Sequence, residues 1–178
     1  MHCQRQDPMR DARRYRLPDA WTVDEVQRIV EAAGRLDWIR APIGPIPAGQ
    51  WWRALLLVDY WTGLRVGALL GIRRSEIDLE SAEIRIGQRG GPTPPEVPVR
   101  LGRDALSAVR AIWEPERELL FVTKRPPSMH RQFGLILDLA GVSAGKGRGR
   151  SQFEKWRQTA ITHASMVPRS THRFRNID

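Results

Sequence analysis

Gly63 divides two apolar segments, and that division constrains the chain more than any other feature. Ala54 to Val58 is an unbroken apolar run, followed by Asp59-Tyr60-Trp61 and then Thr62-Gly63. Glycine tolerates the backbone angles of a tight turn, so this spacing predicts a break between two helices. Beyond the break, Val66, Leu69, Leu70 and Ile72 recur at helical spacing and predict a second buried face. Arg65 is expected on the first turn of that second helix. A guanidinium held at such a junction can be aimed, and its planar fork suits a phosphate through two parallel hydrogen bonds. Taken alone, Arg65 reads more simply as a surface arginine at a helix start.

The charge balance narrows the partners. The 178 residues carry a net charge of +9, and only Lys124, Lys146 and Lys155 are lysines, so arginine supplies nearly all of the positive charge. A balance of this kind favours a polyanionic partner, most simply nucleic acid. A generally arginine-rich proteome would shift the charge in the same direction. Hydrophobic content of 41% and charged content of 28% are those of a globular chain with a core. A single cysteine, Cys3, leaves no internal disulfide and no cysteine-rich metal site. The histidines are scattered, with no HExxH-type spacing, and no metal or cofactor is expected. No apolar run is long enough to span a membrane and the N-terminus has no apolar signal core, so a cytoplasmic protein is expected.

Read in order, residues 1–16 predict a flexible basic arm in which Arg10, Arg13, Arg14 and Arg16 either follow a phosphate backbone or are simply solvated. Thr22-Val23-Asp24-Glu25 has the form of a capping box and opens a helix from about Val23 to Gly34. Ala41 to Gln50, rich in proline and glycine, predicts a loop. Trp51 and Trp52, set among apolar residues, read as core anchors rather than base-stacking platforms. Ile84 and Ile86 alternate with charged residues in a strand, and Val97 and Val99 suggest its return, with Pro98 confining that strand to an edge. Arg89 lies near the tip of this hairpin. Further helices are expected over Asp104–Trp113, Met129–Ala140 and Phe153–Met166, with a short apolar segment over Leu119–Val122. The loop AGKGRGR between the last two helices carries Lys146, Arg148 and Arg150, either as a basic DNA contact or as a plain linker.

Three separated pieces of this chain fit one family. TGLRVGALLGIRRSEIDLE, IRIGQRGGPTPPEVPVR and QFGLILDLAGV followed by FEKWRQTAITHA resemble, in order, the first arginine box, the lysine hairpin and the second box of the tyrosine recombinase (phage integrase) catalytic domain. The resemblance runs from about Leu17 to Met166. It implies a mainly α fold with a small antiparallel β-sheet between the first-box helix and the following helix. It also implies double-stranded DNA as partner, other recombinase subunits as further partners, and an origin in a mobile element. The family chemistry is attack of a tyrosine oxygen on a DNA phosphodiester without a metal. Two arginines neutralise the charge that grows on the phosphate oxygens, while a lysine and a histidine handle protons.

Carried over residue by residue, the resemblance places catalytic roles on Arg65, Arg157, Arg89 and Glu154, with DNA contacts from Arg65, Arg89, Lys146, Arg148, Arg150 and Arg157. The chain departs from the pattern at several of these positions. Arg89 stands about where the hairpin lysine is expected, and arginine hardly gives up its proton. Glu154 stands where the second-box histidine is expected and brings a negative charge near a phosphate. Ala68 replaces an acidic residue one turn past the first arginine. A rival registration on His172-Arg173-Phe174-Arg175 has the same histidine-x-x-arginine form but no apolar helix pattern around it. The only tyrosines are Tyr15 and Tyr60, neither of them after the second box, and Tyr60 reads as a core or wall residue.

The expectation is therefore an integrase-like catalytic domain over 17–178 that lacks the nucleophile-bearing C-terminal segment. The family's DNA-clamping domain would precede Leu17 and finds no room there. The reading is a catalytically impaired, truncated remnant that binds DNA weakly and nearly without regard to sequence. The alternatives are an active recombinase completed in trans by another chain's tyrosine, a non-catalytic DNA-binding regulator, and a misfolded product without function.

Overall fold

A computed structural model describes residues 20–36, 46–86, 97–121, 129–144 and 152–166. Six α-helices and three short strands are found among them: α1 (Val23–Gly34), α2 (Ala48–Thr62), α3 (Val66–Leu69), β1 (Ile77–Asp78), β2 (Glu83–Ile86), β3 (Val97–Arg100), α4 (Arg103–Ala111), α5 (Met129–Leu139) and α6 (Gln152–Met166). None of the described helices is long and apolar enough to cross a membrane.

The local signals act as expected at the start of α1. The Thr22 side chain accepts from the Glu25 amide at 3.2 Å, and the Thr22 amide donates to Glu25 Oε2 at 2.8 Å. The box satisfies two amides that the first helical turn would otherwise leave unpaired. Past it, Val26, Ile29, Val30 and Ala33 lie buried along one face.

Helix α2 organises the rest. Trp51, Trp52 and every residue from Ala54 to Tyr60 are buried. A helix buried over most of its surface sits in the middle of its domain, and α2 packs against α1, α4 and α6 and touches β3. Trp52 stacks on Phe133 of α5 and Phe153 of α6 with ring centroids 6.2 Å and 6.1 Å apart. Its indole N–H donates to Gln132 Oε1 at 3.1 Å. Trp156 of α6, wholly buried, donates to the Leu56 carbonyl at 3.1 Å. The rings of Trp52 and Trp156 thus fix α5 and α6 against α2, and the N–H groups of these two find acceptors, while the Trp51 N–H is buried without one.

The strands form one antiparallel sheet in the order β1-β2-β3, with Ile77 opposite Ile84, Ile84 opposite Val99 and Ile86 opposite Val97. The hairpin read from sequence is present, and Pro98 lies on an edge strand, where its missing N–H costs no ladder bond. In chain order the sheet lies between α3 and α4, as the resemblance implies.

Beyond shifts of a single residue at helix ends, the structure departs from the expectation in four places. The sheet has a third strand, β1, whose two residues are too short to display an alternating pattern. Helix α3 ends at Leu69, because the chain turns at Leu70-Gly71 to pair Arg73 with Leu119. That pairing also explains the apolar Leu119 segment, where Leu120 N–H donates to the Ile72 carbonyl at 3.0 Å. Helix α4 stops at Ala111, leaving Trp113 beyond it, partly buried with the Arg74 guanidinium 5.2 Å from its ring. The loop before α2 gives way to helix already at Ala48, where burial of Ala48 and Gly49 overrides their weak local signal. The N-terminal arm, the hairpin tip with Arg89, the loop residues Lys146, Arg148 and Arg150, and the His172 registration all lie outside the described residues.

Candidate active site

The break at Gly63 is the floor of the site. Gly63 has φ 62°, a left-handed conformation that any side chain would strain, and its amide donates to the Asp59 carbonyl at 2.6 Å to close α2. Two residues on, Arg65 lies outside the α3 helix, in extended backbone with φ −70° and ψ 143°. It does not sit on the first helical turn, as expected, but at the position just before it. Its carbonyl accepts from Ala68 and Leu69, which holds the main chain, while the side chain is exposed and makes no hydrogen bond or ion pair among the described residues.

Helix α6 delivers the second arginine to this floor. Arg157 Nε donates to the Gly63 carbonyl at 2.8 Å, and Arg157 Nη1 bonds Glu154 Oε1 at 3.2 Å. Ile161, one turn further along α6, lies 3.5 Å from where a Cβ on Gly63 would stand, so the helix rests directly on the junction. The fold therefore brings Glu154 and Arg157 together and sets Arg157 against the loop that carries Arg65. Ala68 is exposed on α3.

Beneath Arg157 lies a residue to which the sequence assigned no role. Asp59, on the last turn of α2, is 1% exposed, and its Oδ1 is sealed from solvent without a hydrogen-bond partner. Burial pushes its carboxyl well above the usual carboxylate range; the nearby Arg157 charge opposes the shift and Glu154 adds to it. A signal was there to be read, since Asp59 is the single charge in LLLVDYW. Tyr60 is buried beside it, and its hydroxyl shares a 2.7 Å hydrogen bond with His163 Nδ1 of α6. That wall position agrees with the sequence reading, while the histidine partner, 103 residues away, has no local signal.

Arg157 is thus locked to a main-chain carbonyl two residues before the exposed Arg65, and a guanidinium fork suits a phosphate oxygen pair. Comparison with protein families matches residues 20–167 to the phage integrase family. The chain belongs to the phage integrase family. It is 32% identical over 130 residues to the tyrosine recombinase XerD of Bifidobacterium longum (strain NCC 2705), covering 65% of this chain and 39% of that protein. It is 26% identical over 161 residues to the tyrosine recombinase XerC of Natranaerobius thermophilus (strain ATCC BAA-1301 / DSM 18059 / JW/NM-WN-LF), covering 89% of this chain and 48% of that one. The chain thus spans less than half the length of these two relatives. Among solved structures, the XerA recombinase matches with TM-score 0.59 and 19% identity over 92% of this chain and 53% of that one. The XerH site-specific recombinase, bound to its palindromic difH substrate in a post-cleavage complex, matches with TM-score 0.55 and 16% identity over 85% of this chain and 44% of that one. These structural likenesses speak for the fold, which is that of the phage integrase catalytic domain.

Proposed function

We propose that this phage integrase domain binds double-stranded DNA through its backbone phosphates, as part of site-specific recombination or integration in the cytoplasm, with Arg65 and Arg157 as the phosphate-contacting pair. The observation that carries the reading is the bond from Arg157 Nε to the Gly63 carbonyl, two residues before Arg65. It presets one guanidinium so that little side-chain freedom is lost on binding. In this reading Arg89, Lys146, Arg148 and Arg150 widen the basic surface, and affinity is nearly blind to sequence because phosphates carry no base information.

In the same reading this chain does not cut DNA by itself. Cleavage needs an oxygen nucleophile in line with the phosphate, and charge cannot replace it. Tyr60 is buried and bonded to His163, which keeps its hydroxyl from a bound duplex. Glu154 and Arg89 are also poor substitutes for a histidine and a lysine in proton transfer.

The test is a gel shift across a salt series together with a nicked duplex that traps covalent intermediates. Binding is expected at low salt and fades as salt rises, with a slope in log K against log salt of about −0.9 per phosphate neutralised. Arg65→Ala and Arg157→Ala are each expected to flatten that slope by about 0.9. No adduct is expected. Absence of binding at low salt, from protein shown to be folded by a cooperative melt, refutes the reading. An adduct abolished by Tyr60→Phe or Tyr15→Phe refutes the inactivity, and an adduct formed only with an added tyrosine-bearing peptide assigns completion in trans.

A further inference from the structure

The Arg157 guanidinium is already half occupied by the protein. Nε is committed to the Gly63 carbonyl at 2.8 Å and Nη1 to Glu154 Oε1 at 3.2 Å. Nη2 makes no hydrogen bond among the described residues. A two-oxygen anion is best received by a pair of parallel N–H groups. With Nε spent on the main chain, the remaining pair is Nη1 with Nη2, and Glu154 holds one member of it. The two side chains stand three residues apart on one face of α6, so their meeting is built into the helix. Their side-chain exposures, 26% for Arg157 and 43% for Glu154, leave the pair open to solvent. A phosphate approaching this edge meets a carboxylate of its own sign bound to the donor it needs.

We propose that Glu154 is a displaceable counter-ion that holds the phosphate-binding edge of Arg157 closed in the free protein, and so restrains DNA binding rather than contributing to it. The inference rests on the phosphate role given to Arg157 above. Asp59 does not share this function. It has no hydrogen bond to the guanidinium, it is sealed within the core, and burial favours its neutral form. The pair with Arg157 is itself weak, because both side chains are open to solvent. The effect of Glu154 on DNA is larger than the pair alone suggests, since the freed carboxylate still faces the incoming phosphate.

The experiment is a double-mutant cycle on duplex DNA across a salt series, with Glu154→Gln, Arg157→Ala and the double variant, each shown to be folded by its melt. Glu154→Ala replaces Glu154→Gln if the latter does not fold. Glu116→Gln, at an exposed turn position outside the helices that form the site, measures the effect of removing any one negative charge. Glu154→Gln is expected to tighten binding roughly two- to five-fold at low salt, the fold-change matching an exposed ion pair, and to steepen the salt slope by up to about 0.9. The gain is expected to vanish in the Arg157→Ala background. A gain that persists there, or that Glu116→Gln reproduces, is a general charge effect and overturns the inference. So does unchanged or weaker binding by Glu154→Gln when Arg157→Ala weakens the wild type, and in that case the phosphate reading of the site survives. If Arg157→Ala leaves binding and its salt slope unchanged, that reading fails, and this inference with it.

Discussion

Replacing Asp59 by leucine is expected to stabilise the domain, and to do so increasingly as pH rises. Asp59 is 1% exposed, and its Oδ1 is sealed without a hydrogen-bond donor. Arg157 is the charge that would compensate it, but that guanidinium is turned to the Gly63 carbonyl and Glu154. Burial therefore prevails and raises the carboxyl well above its ordinary 3.8. In acid below 3.8 both the folded and the unfolded chain hold the proton, and the group costs only its buried polarity. Above 3.8 the unfolded chain releases its proton first, so the folded state loses ground as pH rises. The loss runs at up to about 1.4 kcal/mol per pH unit until the folded carboxyl ionises as well. Leucine removes this term and also an unpaired buried polar group worth about 1–3 kcal/mol. For a chain of this size each kcal/mol moves the melting midpoint by about 2–4 °C. A rise of several degrees is therefore expected near neutral pH and a smaller one near pH 4. Asp104, also raised by burial, and Asp78, lowered by the Ser81 and Glu80 amides, impose their own slopes on the whole protein. The quantity to follow is thus the difference between variant and wild-type melts at each pH. Asp59→Asn should flatten the pH dependence in the same way but recover less stability, since its amide stays buried. The reasoning fails if both variants are less stable than wild type near pH 7, or if the difference does not grow between about pH 4 and about pH 7.

Two packing predictions follow from the same helix. A Cβ added at Gly102 would collide with the Trp61 ring, so Gly102→Ala should destabilise the domain by about 1–3 kcal/mol in a urea melt, and an unchanged midpoint would show that the ring moves aside freely. Tyr60→Phe loses the 2.7 Å bond to His163 and should cost about 0.5–1.5 kcal/mol while leaving DNA binding unchanged; a loss of binding without a loss of stability would put Tyr60 at the DNA surface instead.

What could be read directly from the sequence is what rests on neighbours along the chain. Thr22 and Glu25 stand three residues apart, and the capping box they form needs nothing else. Gly63 marks the end of α2 because the left-handed turn is a property of that one residue. The alternation at Ile84 and Ile86 and the proline at 98 describe a hairpin and its edge. The order of the three boxes carries the family, and residues 20–167 match it. The two-residue strand β1 and the true end of α3 are not legible along the chain, because β1 exists only through its pairing with β2 and α3 ends where Arg73 turns to meet the distant Leu119.

The electrostatics of the junction belong to tertiary structure alone. Nothing local to Asp59 says that its carboxyl is buried; that follows from packing α2 in the middle of the domain. Arg157 reaches Gly63 across 94 residues, and Tyr60 reaches His163 across 103, only because tryptophan and phenylalanine rings hold α6 against α2. Two arginines in their boxes and a glutamate where a histidine was expected are legible along the chain alone. The packing of α6 on α2 decided what state those side chains are in, because desolvation and charge pairing depend on distances that only the folded chain defines.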